Sequence, residues 1–341
     1  MKKIIVLIMV VVFFTGCSRK AELSDIKAVS LDFDMGIGWN LGNSLDAASN
    51  EKGYFFETET LWFNPNTTKE MIKTVKDAGF KSIRIPVSFL NHIDADLKID
   101  DLWLDRVEEI VQWCLEYDLI TIINTHHDTS MNSSLNWIYA DKDNLDDNIN
   151  KLTILWEQIA HRFRDYDLRL IFQGSGEWMN PENSWDNEED FKVVHDLNQA
   201  FIDVVRKSGS NNQDRYLMIS PFGASAKANI CETMFFKEFK GDHLILSVHS
   251  YQLNVDEIYK GAQELAEISN KYNIPVVVDE FGPSLKKSNY ENAKMLKAYK
   301  MASDHYGIGL MLWDDGFEYH IIDRERNRVY DQKTINILLK E

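Results

Sequence analysis

Glu177 closes the run Leu170-Ile171-Phe172-Gln173-Gly174-Ser175-Gly176-Glu177, and Glu280 closes Pro275-Val276-Val277-Val278-Asp279-Glu280. Each follows a short apolar stretch of strand character, so each falls where a strand hands over to a loop. Two carboxylates on rigid supports, aimed at one sugar carbon, are the minimum equipment for cleaving a glycosidic bond: one gives a proton to the leaving oxygen and the other attacks. Such a pair stands about 5 to 5.5 Å apart when the anomeric configuration is preserved. Asn43, Arg84, His126, His127, His249, Tyr251 and Trp313 also fall at the ends of expected strands. Strand cores seldom tolerate charge, so polar groups confined to strand ends mark a site.

Elements that could hold these groups recur along the chain. β-rich runs are expected over Met35 to Leu41, Ser82 to Pro86, Ile120 to Thr125, Arg169 to Gln173, Tyr216 to Ser220, Leu244 to Val248, Pro275 to Asp279 and Ile308 to Trp313. Helix-period segments separate them; Leu102, Val107, Ile110, Val111, Cys114 and Leu115, for example, make one apolar stripe. Alternating strands and helices imply a parallel sheet covered by helices, and eight repeats imply an α/β chain folded as a single-domain (β/α)8 TIM barrel over residues 31–341. No Pro-, Gly- or Ser-rich linker divides the chain. Loops 42–66, 128–146, 178–188 and 314–329 are long and carry Trp62, Trp137, Tyr139, Trp185 and Tyr319. A barrel puts every loop after a strand on one face, where these aromatics would converge. Trp62, Trp137, Trp178 and Trp185 either line flanking sugar sites or pack their own loops.

Composition narrows the partners. The 341-residue chain is 44% hydrophobic and 12% aromatic, enough for a large core, and its nine Trp exceed what packing alone demands. The formal charge of −17 argues against nucleic acid and suits a neutral substrate. Lys2-Lys3 followed by apolar Ile4 to Phe14 has the form of an export signal, too short to span a bilayer. Phe14-Thr15-Gly16-Cys17 resembles the box at which bacterial lipoproteins are cut and lipidated on the cysteine. Residues 1–16 are then a leader, 17–30 a tether, and loss of Lys2 and Lys3 with the leader takes the charge from −17 to −19. The expected protein is exported and anchored through Cys17 to a bacterial membrane, periplasmic or at the outer-membrane surface, and monomeric. Cys114 and Cys231 form no disulfide framework and read as packed or free thiols.

Six motifs in order, Gly38-Trp39-Asn40-Leu41-Gly42-Asn43, Ile83-Arg84-Ile85-Pro86, Ile123-Asn124-Thr125-His126-His127-Asp128, Val248-His249-Ser250-Tyr251, Pro275 to Gly282 and Leu312-Trp313-Asp314, resemble glycoside hydrolase family 5, in particular the endo-β-1,4-glucanases of its subfamily 4. The resemblance runs from about residue 30 to the C-terminus. It implies a retaining double displacement on β-1,4-linked glucan (cellulose, mixed-linkage glucan or xyloglucan), without metal or cofactor. Glu280 matches the nucleophile, which Arg84 and Tyr251 would hold ionised and oriented. Glu177 matches the acid/base, whose pKa the charge of Glu280 would raise. His126, His249 and Trp313 match sugar-site residues, Asn43 could bond a sugar hydroxyl, and His127 is as readily structural.

One position departs from the pattern. The family places Asn before its acid/base Glu, and its amide bonds the 2-hydroxyl of the reacting sugar; this chain has Gly176. Glu182, in Met179-Asn180-Pro181-Glu182, is an alternative acid, but Glu177 falls at the family's spacing from Phe172. Gly176 leaves three outcomes open: a hydrolase that compensates, a glycan-binding protein that has lost turnover, or a β-mannanase.

Overall fold

The computed structural model describes residues 23–50, 57–130, 135–284 and 286–340. The leader and Cys17 lie outside this range. Eight parallel strands close into a barrel in sequential order: β1 Ile37–Asn40, β2 Ser82–Val87, β3 Ile120–Thr125, β4 Leu170–Gln173, β5 Leu217–Ile219, β6 Leu244–His249, β7 Val276–Phe281 and β8 Gly309–Leu312. Each strand is followed by a helix: α1 Lys69–Ala78, α2 Asp101–Glu116, α3 Leu145–Phe163, α4 Glu188–Lys207, α5 Ala228–Cys231, α6 Val255–Tyr272, α7 Asn289–Tyr306 and α8 Gln332–Leu339. The expected (β/α)8 barrel is the observed fold.

Side-chain alternation builds two cores. Outward residues such as Ile83, Ile85, Phe172, Leu246 and Val278 pack under the helices. Inward residues Ile122, Ile171, Met218, Ile245, Val277 and Met311, with Met35, fill the lower barrel. Helix starts are set by side chains that accept orphan backbone N–H groups: Thr68 from Met71, Asp100 from Leu102, Asn254 from Asp256 and Glu257, and Ser288 in a capping box with Glu291. In α2 the buried stripe is Trp103, Leu104, Val107, Ile110, Val111 and Cys114. Leu102, expected in that stripe, is 57% exposed because it stands five residues before Val107, off the three-and-four spacing of the buried face, and lies on the side of Asp105 and Glu109. Ala28 donates its N–H to the Tyr306 carbonyl and Val29 to Ser269 Oγ, so the end of the expected tether docks on α6 and α7. Cys114 and Cys231 are buried free thiols, and burial pushes both thiol pKa values up.

Candidate active site

The polar layer begins one inward step above the apolar core. On β2, Arg84 is fully buried, and its guanidinium reaches three other strands, β1, β4 and β7. Nε donates to Gln173 Oε1 at 2.7 Å and lies 3.2 Å from Asp279 Oδ2; Nη1 donates to Asn40 Oδ1 at 2.9 Å and to Glu280 Oε1 at 2.8 Å. Gln173 Nε2 in turn donates to Asp279 Oδ2 at 2.8 Å and Ser247 Oγ at 2.7 Å. Taking a guanidinium out of water is costly, and the two carboxylates beside it offset that cost, while Arg84 Nη2 and Asp279 Oδ1 are buried without a hydrogen-bond partner among the described residues. Gln173, Asp279 and Asn40 thus belong to this polar layer, although reading the chain residue by residue assigned them no role. Their signal was a polar residue at an inward position of an apolar strand.

Glu280 reaches this layer through an irregularity. Alternation along β7 points Val277 and Asp279 inward, which would aim Glu280 at the helices. The pairing of β7 with β8 shifts register between Val278 and Phe281, and that of β6 with β7 shifts between Val248 and His249. A bulge of this kind re-aims a side chain, and here it brings Asp279 and Glu280 to the same arginine. Glu280 and His249 were expected just past their strands; both lie within them, because pairing continues through the bulges.

A single imidazole connects the two glutamates. His249 Nδ1 is 3.2 Å from Glu177 Oε1, and Nε2 is 3.3 Å from Glu280 Oε1 and 3.6 Å from Asp279 Oδ1. Burial works against its charged form, but Glu280, Asp279 and Glu177 outweigh that and lift its pKa to about 9. For Glu280 burial again acts first and raises the carboxyl pKa, while His249 and Arg84 hold it back. Tyr251 donates from Oη to Glu280 Oε2 at 3.2 Å; burial and the glutamate charge raise its own pKa well above the ordinary value. Glu177 therefore shares the mouth with Glu280, whereas Glu182 is exposed on the loop beyond β4.

The remaining expected residues divide. Trp313 follows β8 at the mouth, resting on Gly42 and nearly parallel to the His126 ring (16°, centroids 5.7 Å apart). His126 is buried and its pKa is pushed well down by desolvation, with His127, Arg84 and His249 adding to the effect. Asn124 Nδ2 donates to the Thr125 carbonyl at 2.9 Å and faces His126 Nδ1 at 3.2 Å, an arrangement that makes Nδ1 an acceptor and leaves the proton on Nε2. His127 is tied to Ser130 Oγ at 2.9 Å and faces Asp46 Oδ2 at 3.5 Å, beside Trp62. Asn43 holds a positive φ of 56°, and Asn64 Nδ2 clamps its carbonyl at 2.9 Å. Asp46, His126 and His127 are the one trio among the described residues with donor atoms close enough, within 4.8 Å of one another, to be considered for a metal ion. Trp178 is fully buried with Nε1 on Asn198, and Trp137 Nε1 is bonded to Asp128 Oδ1; both pack their loops.

Gly176 explains the break in the motif sterically. A Cβ there would lie 2.6 Å from His126 Nδ1 and 3.0 Å from Asn124 Nδ2, so the histidine ring fills the space a side chain would need.

The family model for cellulase (glycosyl hydrolase family 5) matches residues 45–318. The chain belongs to this family. Endoglucanase A of Ruminococcus albus is 34% identical over 344 residues, covering 93% of this chain and 91% of the relative. Cellulase/esterase CelE of Acetivibrio thermocellus is 32% identical over 92% of this chain, which spans 39% of that longer protein. Among solved structures, the GH5-4 broad specificity endoglucanase from Clostridium longisporum aligns with a TM-score of 0.83 at 30% identity, covering 90% of this chain and 95% of that one. A GH5 xyloglucan-specific endo-β-1,4-glucanase from a metagenomic library, solved with cellotriose, gives 0.82 at 28% identity, covering 90% and 96%. As a family 5 member the chain is a glycoside hydrolase, and its barrel is the family's fold.

Proposed function

We propose that this family 5 chain cleaves the interior of β-1,4-linked glucan chains, cellulose, mixed-linkage glucan or xyloglucan, by retaining double displacement. The observation that carries the reading is His249 set between two carboxylates, one of them paired with Arg84. Glu280, bonded to Arg84 and Tyr251, is the nucleophile: its oxygen attacks C1 while the C1–O bond breaks. Glu177 gives its proton to the departing oxygen, then takes one from the water that releases the sugar from Glu280. Burying Glu280 destabilises its anion, and Arg84 and His249 offset that cost until bonding to C1 neutralises it and the negative charge appears on Glu177, which has given its proton to the leaving oxygen. The relatives named for endoglucanase and xyloglucanase activity support β-glucan as the substrate class.

Reducing ends released from defined β-glucans by wild type, Glu177→Gln and Glu280→Gln test the proposal. Glu280→Gln should lose roughly 10⁵–10⁶-fold in turnover, as removal of a nucleophile does elsewhere. Glu177→Gln should lose roughly 10²–10⁴-fold on glucan but much less on β-cellobiosyl fluoride, whose leaving group needs little protonation. Wild type no faster than either variant would end the hydrolase reading.

Lys2-Lys3, the apolar run to Phe14 and Cys17 support export and a lipid anchor on a bacterial membrane, with residues 31–341 as the catalytic domain. Membrane fractionation with and without Cys17→Ala tests this: the variant should be released in soluble form, and retention equal to wild type would exclude the anchor.

A further inference from the structure

The strand ends that carry Glu177 and Glu280, β4 and β7, divide the barrel mouth into two arcs. The arc of β8, β1, β2 and β3 holds Trp313, His126 and His127 with Trp62 beside them. The arc of β5 and β6 carries His249 and Tyr251, with Trp185, Gly223, Ser225 and Gln252 lining one end of a cavity that continues away from the mouth between α6 and α7 and the outward residues Val278 and Leu310. A polymer cut in its interior must occupy both arcs. On the proposed function Trp313 and His126 hold the reacting sugar, and the other arc then receives the half of the chain that leaves.

We propose that Trp185 is the stacking platform for a pyranose of the leaving half, a specificity-determining contact that rests on the hydrolase reading above. Of the loop tryptophans left open by sequence, Trp178 and Trp137 have their indole N–H groups bonded within the protein, whereas Trp185 remains 39% exposed at the cavity rim. Its ring is supported on one side. Phe222 meets it edge-on, with centroids 5.2 Å apart at 85°, and Phe191 lies 6.2 Å away. Gly223, at a φ of 56°, forms the seat: a Cβ there would lie 2.4 Å from Trp185 Cη2, so only a glycine lets the indole rest on the backbone.

That seat is fixed relative to the acid. The Gly223 N–H donates to the Trp178 carbonyl at 2.8 Å, next in the chain to Glu177. The His249 N–H donates to the Ala224 carbonyl at 2.7 Å, and Ser225 bridges to His249 in parallel register. The platform is thus tied through backbone hydrogen bonds to both neighbours of the group that protonates the leaving oxygen. A flat, pre-positioned indole is what the C–H face of a pyranose requires, and rigidity spares the entropy of ordering it on binding.

The test compares kcat/KM on cellohexaose with that on β-cellobiosyl fluoride, which places a single atom in the leaving position. Trp185→Ala should lose roughly tenfold more on cellohexaose than on the fluoride, about the worth of one aromatic contact, and Trp185→Phe should recover most of it. Equal losses on the two substrates, or no loss on cellohexaose, would overturn the assignment. Calorimetry of cellohexaose on Glu177→Gln with and without Trp185→Ala reads the platform independently of turnover. Binding should weaken roughly tenfold, and an unchanged Kd overturns the platform even if hydrolysis stands. Wild type that binds cellohexaose through Trp185 but cleaves nothing would instead remove the hydrolase reading and leave the platform.

Discussion

The lower and upper halves of the barrel interior are built from the same strands, two residues apart. Ile122, Ile171, Ile245 and Val277 fill the lower half, and Asn124, Gln173, Ser247 and Asp279 follow them at the next inward positions. The lower half excludes water by volume and tolerates a void only at the cost of lost contacts. In the upper half, removing one partner strands a buried charge instead of opening a void. Stability is therefore spread over the first layer, whereas in the second it depends on Arg84, the same residue that orients Glu280.

Arg84→Met should produce the largest effect and tests whether the upper layer is one unit. Leaving Asp279 and Glu280 without their guanidinium should cost about 3–5 kcal/mol in urea unfolding and also abolish measurable glucan turnover. A variant as stable as wild type would show that the layer does not act as a unit. Ile171→Ala, the counterpart below, should cost about 2–5 kcal/mol by the same unfolding measurement while the folded fraction keeps its kcat. A fall in kcat larger than the unfolded fraction accounts for would erase the distinction between the halves.

Gly176→Asn comes next. The substitution would introduce the family's amide, but a Cβ 2.6 Å from His126 Nδ1 makes it an overpacking substitution. It should lower kcat/KM roughly five- to a hundredfold, in line with about 1–3 kcal/mol for crowding a packed site, and Gly176→Ala should do the same. A rise in turnover would mean that His126 swings aside and the space is free after all.

The smallest expected effect is the pH dependence of stability through His249. Its pKa is about 9 in the fold against an ordinary 6.5, so folding takes up a proton between these values. The resulting stabilisation is fully present below about pH 6.5 and is lost as pH rises through about 9. The Tm gap between wild type and His249→Gln should accordingly shrink from pH 6 to pH 9.5. A gap that stays constant or widens would show that His249 is neutral in the folded protein.

Much of the fold was legible because its signals are local. All eight strands were found within a residue or two, since β-branched runs bounded by helix-period segments need no tertiary information. Leu102 was misplaced because it stands five residues from Val107, which turns it off the face that Trp103, Leu104 and Val107 share. Arg84, Glu280 and Glu177 were legible as charges in, or just past, apolar strands. Gln173 and Asn40 were passed over because neutral amides stand out less than charges, though burial makes their pairing just as obligatory.

By itself, the sequence determined which residues are apolar and at what spacing, and so the eight-fold alternation, the polar strand ends and the absence of a side chain at position 176. Only the tertiary structure decided which way Glu280 points, because strict alternation would turn it toward the helices and a bulge depends on pairing with strands distant in the chain. It likewise decided that His126 fills the space beside Gly176 and that Trp185 stays exposed while Trp178 is buried. Those outcomes turn on which backbones approach one another, and that is settled only when the barrel closes.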